Sequence, residues 1–209
     1  MTENQTCRTP ATERRSAFER RRRVAEMSEE EIRQALLTSE VTGLPNRRAF
    51  EESGPAIVVA ISDVDGLKAL NKYGYSVGDA VLTAKADALR EAGLEAYHDK
   101  GDEFLCRGLD AKELTSGLEC SRRILRNRAI AVNRSDGTIL RIEGADFSYG
   151  VGRNLEEAEL SLRNHKAERE ARGEVSRGQL CGISIRSEHG YAIPRAITPE
   201  NKSCQPLLP

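Results

Sequence analysis

Four carboxylates in two short stretches carry the chemistry open to this chain. Asp63 and Asp65 follow an apolar, β-branched run, residues 56–61 (Ala-Ile-Val-Val-Ala-Ile), while Asp102 and Glu103 follow Gly101 and lead into Phe104-Leu105-Cys106. The first run is too short to span a membrane and reads as a buried strand. Asp63 then stands at a strand end, the place where ligands collect in open α/β sheets. The second acidic pair has the pattern of a hairpin tip. If the two strands are neighbours, Asp63 and Asp102 converge and offer hard oxygen ligands to Mg²⁺, and hence a site for nucleotide phosphates. A single Asp at a strand end is more often a turn former or helix cap; the combination points to a metal.

Further motifs line up around these acids. Thr42-Gly43-Leu44-Pro45-Asn46-Arg47-Arg48, then Asp63-Val64-Asp65-Gly66-Leu67-Lys68-Ala69-Leu70-Asn71, Gly78-Asp79, Gly101-Asp102-Glu103-Phe104, Ser148-Tyr149-Gly150-Val151-Gly152 and Lys166 follow one another. In this order they resemble GGDEF domains, the diguanylate cyclases, over about residues 39–173. The resemblance implies a palm-like α/β sandwich, with a central, mostly antiparallel sheet flanked by helices, here carrying an N-terminal helical extension. It also implies condensation of two GTP into cyclic di-GMP with Mg²⁺ or Mn²⁺. By the same resemblance Asp63 and Asp102 are metal ligands, the Val64 carbonyl is a third, and Glu103 helps bind metal or assists deprotonation. Asp63, Asp102 and Glu103 are thus the catalytic set. Peptide N–H groups around Gly66 and Leu67 cradle phosphates at a helix N-terminus, Lys68 and Lys166 are the phosphate cations, and Asn71 and Asp79 read guanine. One half-site holds one nucleotide, so a two-fold homodimer is expected.

The chain departs from the family pattern at several points. Lys100 stands at the first Gly of the signature; a position needing φ > 0 would cost a non-Gly residue on the order of 1 kcal/mol. Between Asn71 and Asp79 the chain is one residue short, with Lys72 and Tyr75 where an Asp and a His are usual. Ser39 replaces an acid. Glu91-Ala92-Gly93-Leu94 stands in place of Arg-x-x-Asp, so product feedback through that motif is not expected. Two alternatives follow: a degenerate domain that binds GTP or a partner without turnover, or a related nucleotidyl transferase making another dinucleotide.

Composition bounds the rest. At 209 residues the chain holds one sizeable domain with extensions: an expected disordered start followed by basic and linker helices (residues 1–38), the cyclase-like domain (39–173) and a mostly irregular tail (174–209). The net charge is −1, so bulk charge selects no partner. Aromatic content of 4% without Trp argues against a stacking platform for single-stranded nucleic acid. The five cysteines, Cys7, Cys106, Cys120, Cys181 and Cys204, are scattered and read as reduced thiols of a cytoplasmic protein. A transmembrane run and a signal peptide are not expected. Residues 13–23 carry six arginines against two glutamates. They read as a solvated linker helix, with nucleic-acid contact the less favoured reading.

The elements needed to position the acids are legible as well. Ser28-Glu29-Glu30-Glu31 is a capping box opening a helix with Ile32, Ala35, Leu36 and Leu37 on its buried side. A helix from near Asp65 to Gly74 presents Leu67, Leu70 and Tyr73, and another covers about residues 77–92. Strands are expected at 94–97, 104–107, 129–132, 139–142 and 145–151, helices at 111–126 and 155–171, and one strand at most in the tail. Asp79 taken alone would be a helix cap. His98, His165 and His189 are too dispersed to form a site.

Overall fold

The computed structural model describes residues 27–134, 137–175 and 180–189. The chain divides into two compact units, Met1–Thr38 and Ser39–Pro209. In the first, the described element is helix α1, Glu29–Leu37, opened by the capping box: Ser28 Oγ accepts from the Glu31 N–H, and the Glu31 carboxylate accepts from the Ser28 N–H at 2.7 Å. No residue of α1 is buried. Ile32 and Leu37 are half-buried, and Ala35 and Leu36 are exposed, so the expected buried side is not realised; four apolar side chains on nine residues make too thin a stripe. The arginine-rich segment lies outside the described residues.

The second unit follows the order α2 (Arg47–Glu52), β1 (Val58–Val64), α3 (Leu67–Leu70), a 3₁₀ turn (Asn71–Tyr73), α4 (Tyr75–Glu91), β2 (Glu95–Lys100), β3 (Glu103–Gly108), α5 (Ala111–Arg126), β4 (Ile130–Asn133), β5 (Thr138–Glu143), β6 (Phe147–Gly152), α6 (Leu155–Ala171) and β7 (Ser184–His189). Four strands form one antiparallel sheet in the order β2-β3-β1-β6, and β4-β5-β7 form a second. Among the described residues no helix is long and apolar enough to cross a membrane.

Alternation along β1 sorts its side chains onto two faces. Ala60 and Val64 join Phe104, Cys106 and Phe147 in a core with Val77, Val81 and Leu89 of α4 and Leu114, Leu118 and Leu125 of α5. Asp63 points the other way, toward α6. That helix lies so close to β6 that a Cβ on Gly150 would fall 2.0 Å from the Leu162 nitrogen and 2.3 Å from the Ala158 carbonyl oxygen. The glycines of Gly150-Val151-Gly152 are therefore a packing requirement.

Boundaries differ from expectation in informative ways. β1 starts at Val58 and runs on to Val64, so Asp63 is inside the strand and pairs in register with Glu103 of β3 and Ser148 of β6. The helix expected from Asp65 is a single α turn followed by a 3₁₀ turn, and Tyr73 is exposed. Asp79 is inside α4, whose N-cap is Gly74, so it caps nothing. β7 pairs with β5 from Thr138↔His189 to Glu143↔Ser184, tying part of the tail into the second sheet.

Candidate active site

The TGLPN motif holds the hairpin. Asn46 Oδ1 accepts from the Arg48 and Ala49 N–H groups to cap α2, Leu44 is buried, and the Pro45 carbonyl accepts from the His98 N–H at 2.8 Å. His98 is buried and stacks on Phe104 with centroids 4.6 Å apart. Its Nδ1 lies 2.7 Å from Ser39 Oγ and its Nε2 3.1 Å from the Gly101 carbonyl, so the neutral ring braces the turn from both sides. Burial holds its pKa below the usual imidazole value. The histidine is structural, and Ser39 is its partner.

That turn also answers the condition set at Lys100, which does not need φ > 0. β2 and β3 are joined by two residues, and the left-handed conformation falls on Gly101 (φ 54°), as a hairpin with Gly at its first central position allows. No described non-glycine residue has positive φ. Lys100 is an exposed strand residue whose Nζ lies 3.6 Å from Glu103 Oε2.

Asp63 and Asp102 come to the same cleft. It has a volume of about 390 Å³ and is also lined by Val64, Gly66, Leu67, Lys68 and Lys166. The Val64 N–H donates to the Asp102 carbonyl at 3.2 Å, which ties the hairpin tip to the end of β1. Glu103, one residue on, faces an adjoining cleft with Arg47, Asp99 and Lys100, to which Asp63 and Lys166 also contribute. Asp102 is in the turn and Glu103 opens β3, in register with Asp63, so the two acids of the signature reach adjoining clefts. Among the described residues no three His, Cys, Asp or Glu side chains form a metal cluster. Asp65 and Glu170 also line the cleft, but Asp65 is taken up by Arg169.

Asp63 of β1 and Asp65, just past its end, meet two cations spaced i, i+3 on α6. Two strand residues advance about 6.6 Å and three helical ones about 4.5 Å, close enough for long cationic side chains to span the difference. Lys166 Nζ lies 2.7 Å from Asp63 Oδ1, and Arg169 Nη1 lies 2.6 Å from Asp65 Oδ2. Burial pushes the carboxyl pKa of both acids up, against the pull of their cations.

Arg169 is the centre of a network that sequence reasoning missed. It is 1% exposed and donates to the Asp65 and Asp146 carboxylates, the Phe147 carbonyl and Ser148 Oγ. Asp146 in turn takes a bidentate pair from Arg122, 3.0 and 2.9 Å, and lies 2.8 Å from Arg126. Despite its burial, these guanidinium groups hold its carboxyl below the ordinary range. The Asp65 N–H donates to the Asp146 carbonyl at 3.0 Å, so the network clamps the loop that carries Gly66.

Gly66 takes φ 75°, ψ 15°, and its carbonyl accepts from Ala69 and Leu70. The first N–H groups of the following turn have no intrahelical acceptor and adjoin the cleft through Leu67 and Lys68. Since α3 has only four residues, its dipole adds little there. Asn71 and Asp79 do not line this cleft. Asn71 Oδ1 packs on Gly78, where a Cβ would lie 2.0 Å away, so Asn71 stands beside the residue that precedes Asp79.

Asp63 thus stands on a central strand of an antiparallel sheet flanked by helices, with Asp102 at the tip of the neighbouring hairpin. No protein-family model matches the chain. It is 33% identical over 110 residues, 46% of the chain, to the diguanylate cyclase DgcP of Pseudomonas aeruginosa; the match spans only 16% of that protein. Among solved structures, it is similar to the diguanylate cyclase SiaD of Pseudomonas aeruginosa, in complex with its activator SiaC. There the TM-score is 0.55 and the identity 24%, over 76% of this chain and 66% of that one. The coiled coil and GGDEF domain of DgcB from Caulobacter crescentus, in complex with c-di-GMP, gives a TM-score of 0.51 and 23% identity over 81% and 96%. The GGDEF domain of FimX from Pseudomonas aeruginosa gives 0.52 and 20% over 67% and 96%. The chain has the GGDEF fold, and its sequence likeness to a diguanylate cyclase supports the same family.

Proposed function

We propose that the protein is a diguanylate cyclase that joins two GTP into cyclic di-GMP, one nucleotide bound per protomer of a two-fold dimer. The observation that carries this is the shared cleft: Asp63 and Asp102 stand with Gly66, Lys68 and Lys166 around about 390 Å³. Each 3′-hydroxyl must attack the α-phosphate of the other nucleotide, which demands in-line placement and charge against the triphosphate. Mg²⁺ or Mn²⁺ suits the donor set, two carboxylates and the Val64 carbonyl, all hard oxygens. When bound, such an ion supplies charge neutralisation at the phosphates.

The protein's own groups then divide the work. Asp63 and Asp102 hold the cation, Lys166 turns from Asp63 to phosphate oxygens, and Lys68 with the Gly66 and Leu67 amides binds the triphosphate. Asn71 and Asp79 read the base. Glu103, in the adjoining cleft, is suited to a hydroxyl arriving from a second nucleotide. One cleft offers one set of phosphate cations, which is why a second copy of the chain must supply the other substrate. The cytoplasm is the setting this reading implies.

A second reading has its own support. The Lys166–Asp63 pair occupies the cleft, and Glu103 is turned toward Lys100, as in a domain that binds nucleotide without turnover. Incubating the purified protein with each nucleoside triphosphate and Mg²⁺ or Mn²⁺, with products resolved by mass, decides. A cyclic dinucleotide lost in Asp102→Ala supports the enzyme, and its base identifies the substrate. Tight GTP binding without product supports the second reading.

A further inference from the structure

The short connection between the 3₁₀ turn and α4 leaves an aromatic ring in solvent. Tyr75, the first residue of α4, is 80% exposed. The connection is fixed by its backbone: the Gly74 N–H donates to the Asn71 carbonyl at 3.1 Å, and the Gly74 carbonyl accepts from the Val77 N–H at 3.0 Å. Gly74 takes φ 124°, which a side chain would oppose. Lys68 lines the phosphate cleft, and Asn71, three residues on, is held against α4: a Cβ on Gly78 would lie 2.0 Å from Asn71 Oδ1. Gly78 and Asp79 come three and four residues after Tyr75 and are its neighbours on the helix surface. Helical side chains tilt toward the N-terminus of their helix, so the exposed Asp79 leans toward the turn that carries Tyr75. A ring, an amide and a carboxylate thus meet at the first turns of α4.

We propose that Tyr75 is a further nucleotide-binding residue, its ring covering one face of the base whose edge Asn71 and Asp79 read. The inference rests on the nucleotide reading above. A lone exposed tyrosine is ordinary on a protein surface; this one stands beside an amide and a carboxylate suited to a base edge. Hydrogen bonds from those two groups to a base replace bonds to water, so on an open surface their net gain is modest. A ring laid on the base takes apolar area from both partners out of water, and a tyrosine has only two side-chain torsions to immobilise. Every base has a π-face, so stacking holds any base. Tyr75 therefore adds affinity and leaves the choice of guanine to Asn71 and Asp79. Its hydroxyl is not needed for this.

The test uses the full chain in equilibrium dialysis against GTP with Mg²⁺ and against inorganic triphosphate with Mg²⁺. Tyr75→Ala is expected to bind GTP about tenfold more weakly and triphosphate as the parent does. Tyr75→Phe, which keeps the ring, is expected to keep both affinities. The chain has no Trp, so its emission comes from tyrosine, and GTP is expected to quench a part of the parent's emission that Tyr75→Phe lacks. That comparison carries the test should the alanine variant not fold. Three results would each overturn the inference and leave the nucleotide reading standing: unchanged GTP affinity in Tyr75→Ala, a loss in the folded variant that extends equally to triphosphate, or equal quenching in the parent and Tyr75→Phe. Failure of the parent protein to bind GTP at all would overturn the nucleotide reading and this inference with it.

Discussion

Replacing Lys85 with Met is expected to stabilise the protein, and by an amount that depends on pH. Lys85 is 0% exposed on α4, and its Nζ has no hydrogen-bond partner. The ammonium sits 4.2 Å from the Phe104 ring centroid and 4.7 Å from that of Phe147. Burial lowers its pKa from 10.5 to about 7, against the pull of Asp63, Cys106, Asp65 and Asp102. An amine whose folded pKa is depressed destabilises fully below that pKa, where it must be buried charged. The penalty is relieved as pH rises toward the unfolded value. Such a shift corresponds to on the order of 5 kcal/mol, of which the two ring faces recover up to about 2. Lys85→Met, close to isosteric, should therefore gain roughly 3 kcal/mol at pH 6, and the gain should shrink by about 2 kcal/mol or more by pH 9.5. Urea unfolding of both proteins at the two pH values reads this directly. A gain that is absent, or the same at both, would refute the reasoning.

Three further outcomes follow from the geometry. Arg169→Met leaves Asp65 and Asp146 buried without their shared cation and should cost about 3 kcal/mol in denaturant unfolding; a loss below about 1 kcal/mol would mean the network is not structural. Gly150→Ala puts a methyl group into the α6 backbone and should lower stability by about 3 kcal/mol, measured by thermal melting, with no loss of secondary structure after refolding at low temperature. Lys100→Gly removes only an exposed 3.6 Å ion pair. Its melting midpoint should correspond to a change below about 1 kcal/mol, and a larger loss would restore a structural role for that lysine.

The meeting of Asp63 and Asp102 was readable because it depends on local rules: a β-branched run, a two-residue hairpin turn, and strands that pair as neighbours. The glycines at 150 and 152 signal close packing by their spacing alone. The Arg169 network was not readable, because a partnership between positions 65 and 169 depends on the rotation of α6 against β1. The hint was present in cations three apart facing acids two apart. Lys85 shows the limit of periodicity. It falls four residues after Val81 and four before Leu89, on the buried face, yet its residue type argues for solvent. Glu103 was grouped with Asp102 by adjacency; one opens β3 and the other is in the turn before it, and they line adjoining clefts that share Asp63 and Lys166. Whether Lys100 would be strained hung on which turn residue takes the left-handed conformation, which the letters alone do not say; Gly101 takes it.

Asp63 and Asp65 come with their own cations on α6, Lys166 and Arg169, so the charge of this pair is balanced by the polypeptide itself. Within the folded chain these two acids already have cations against them before any ion arrives.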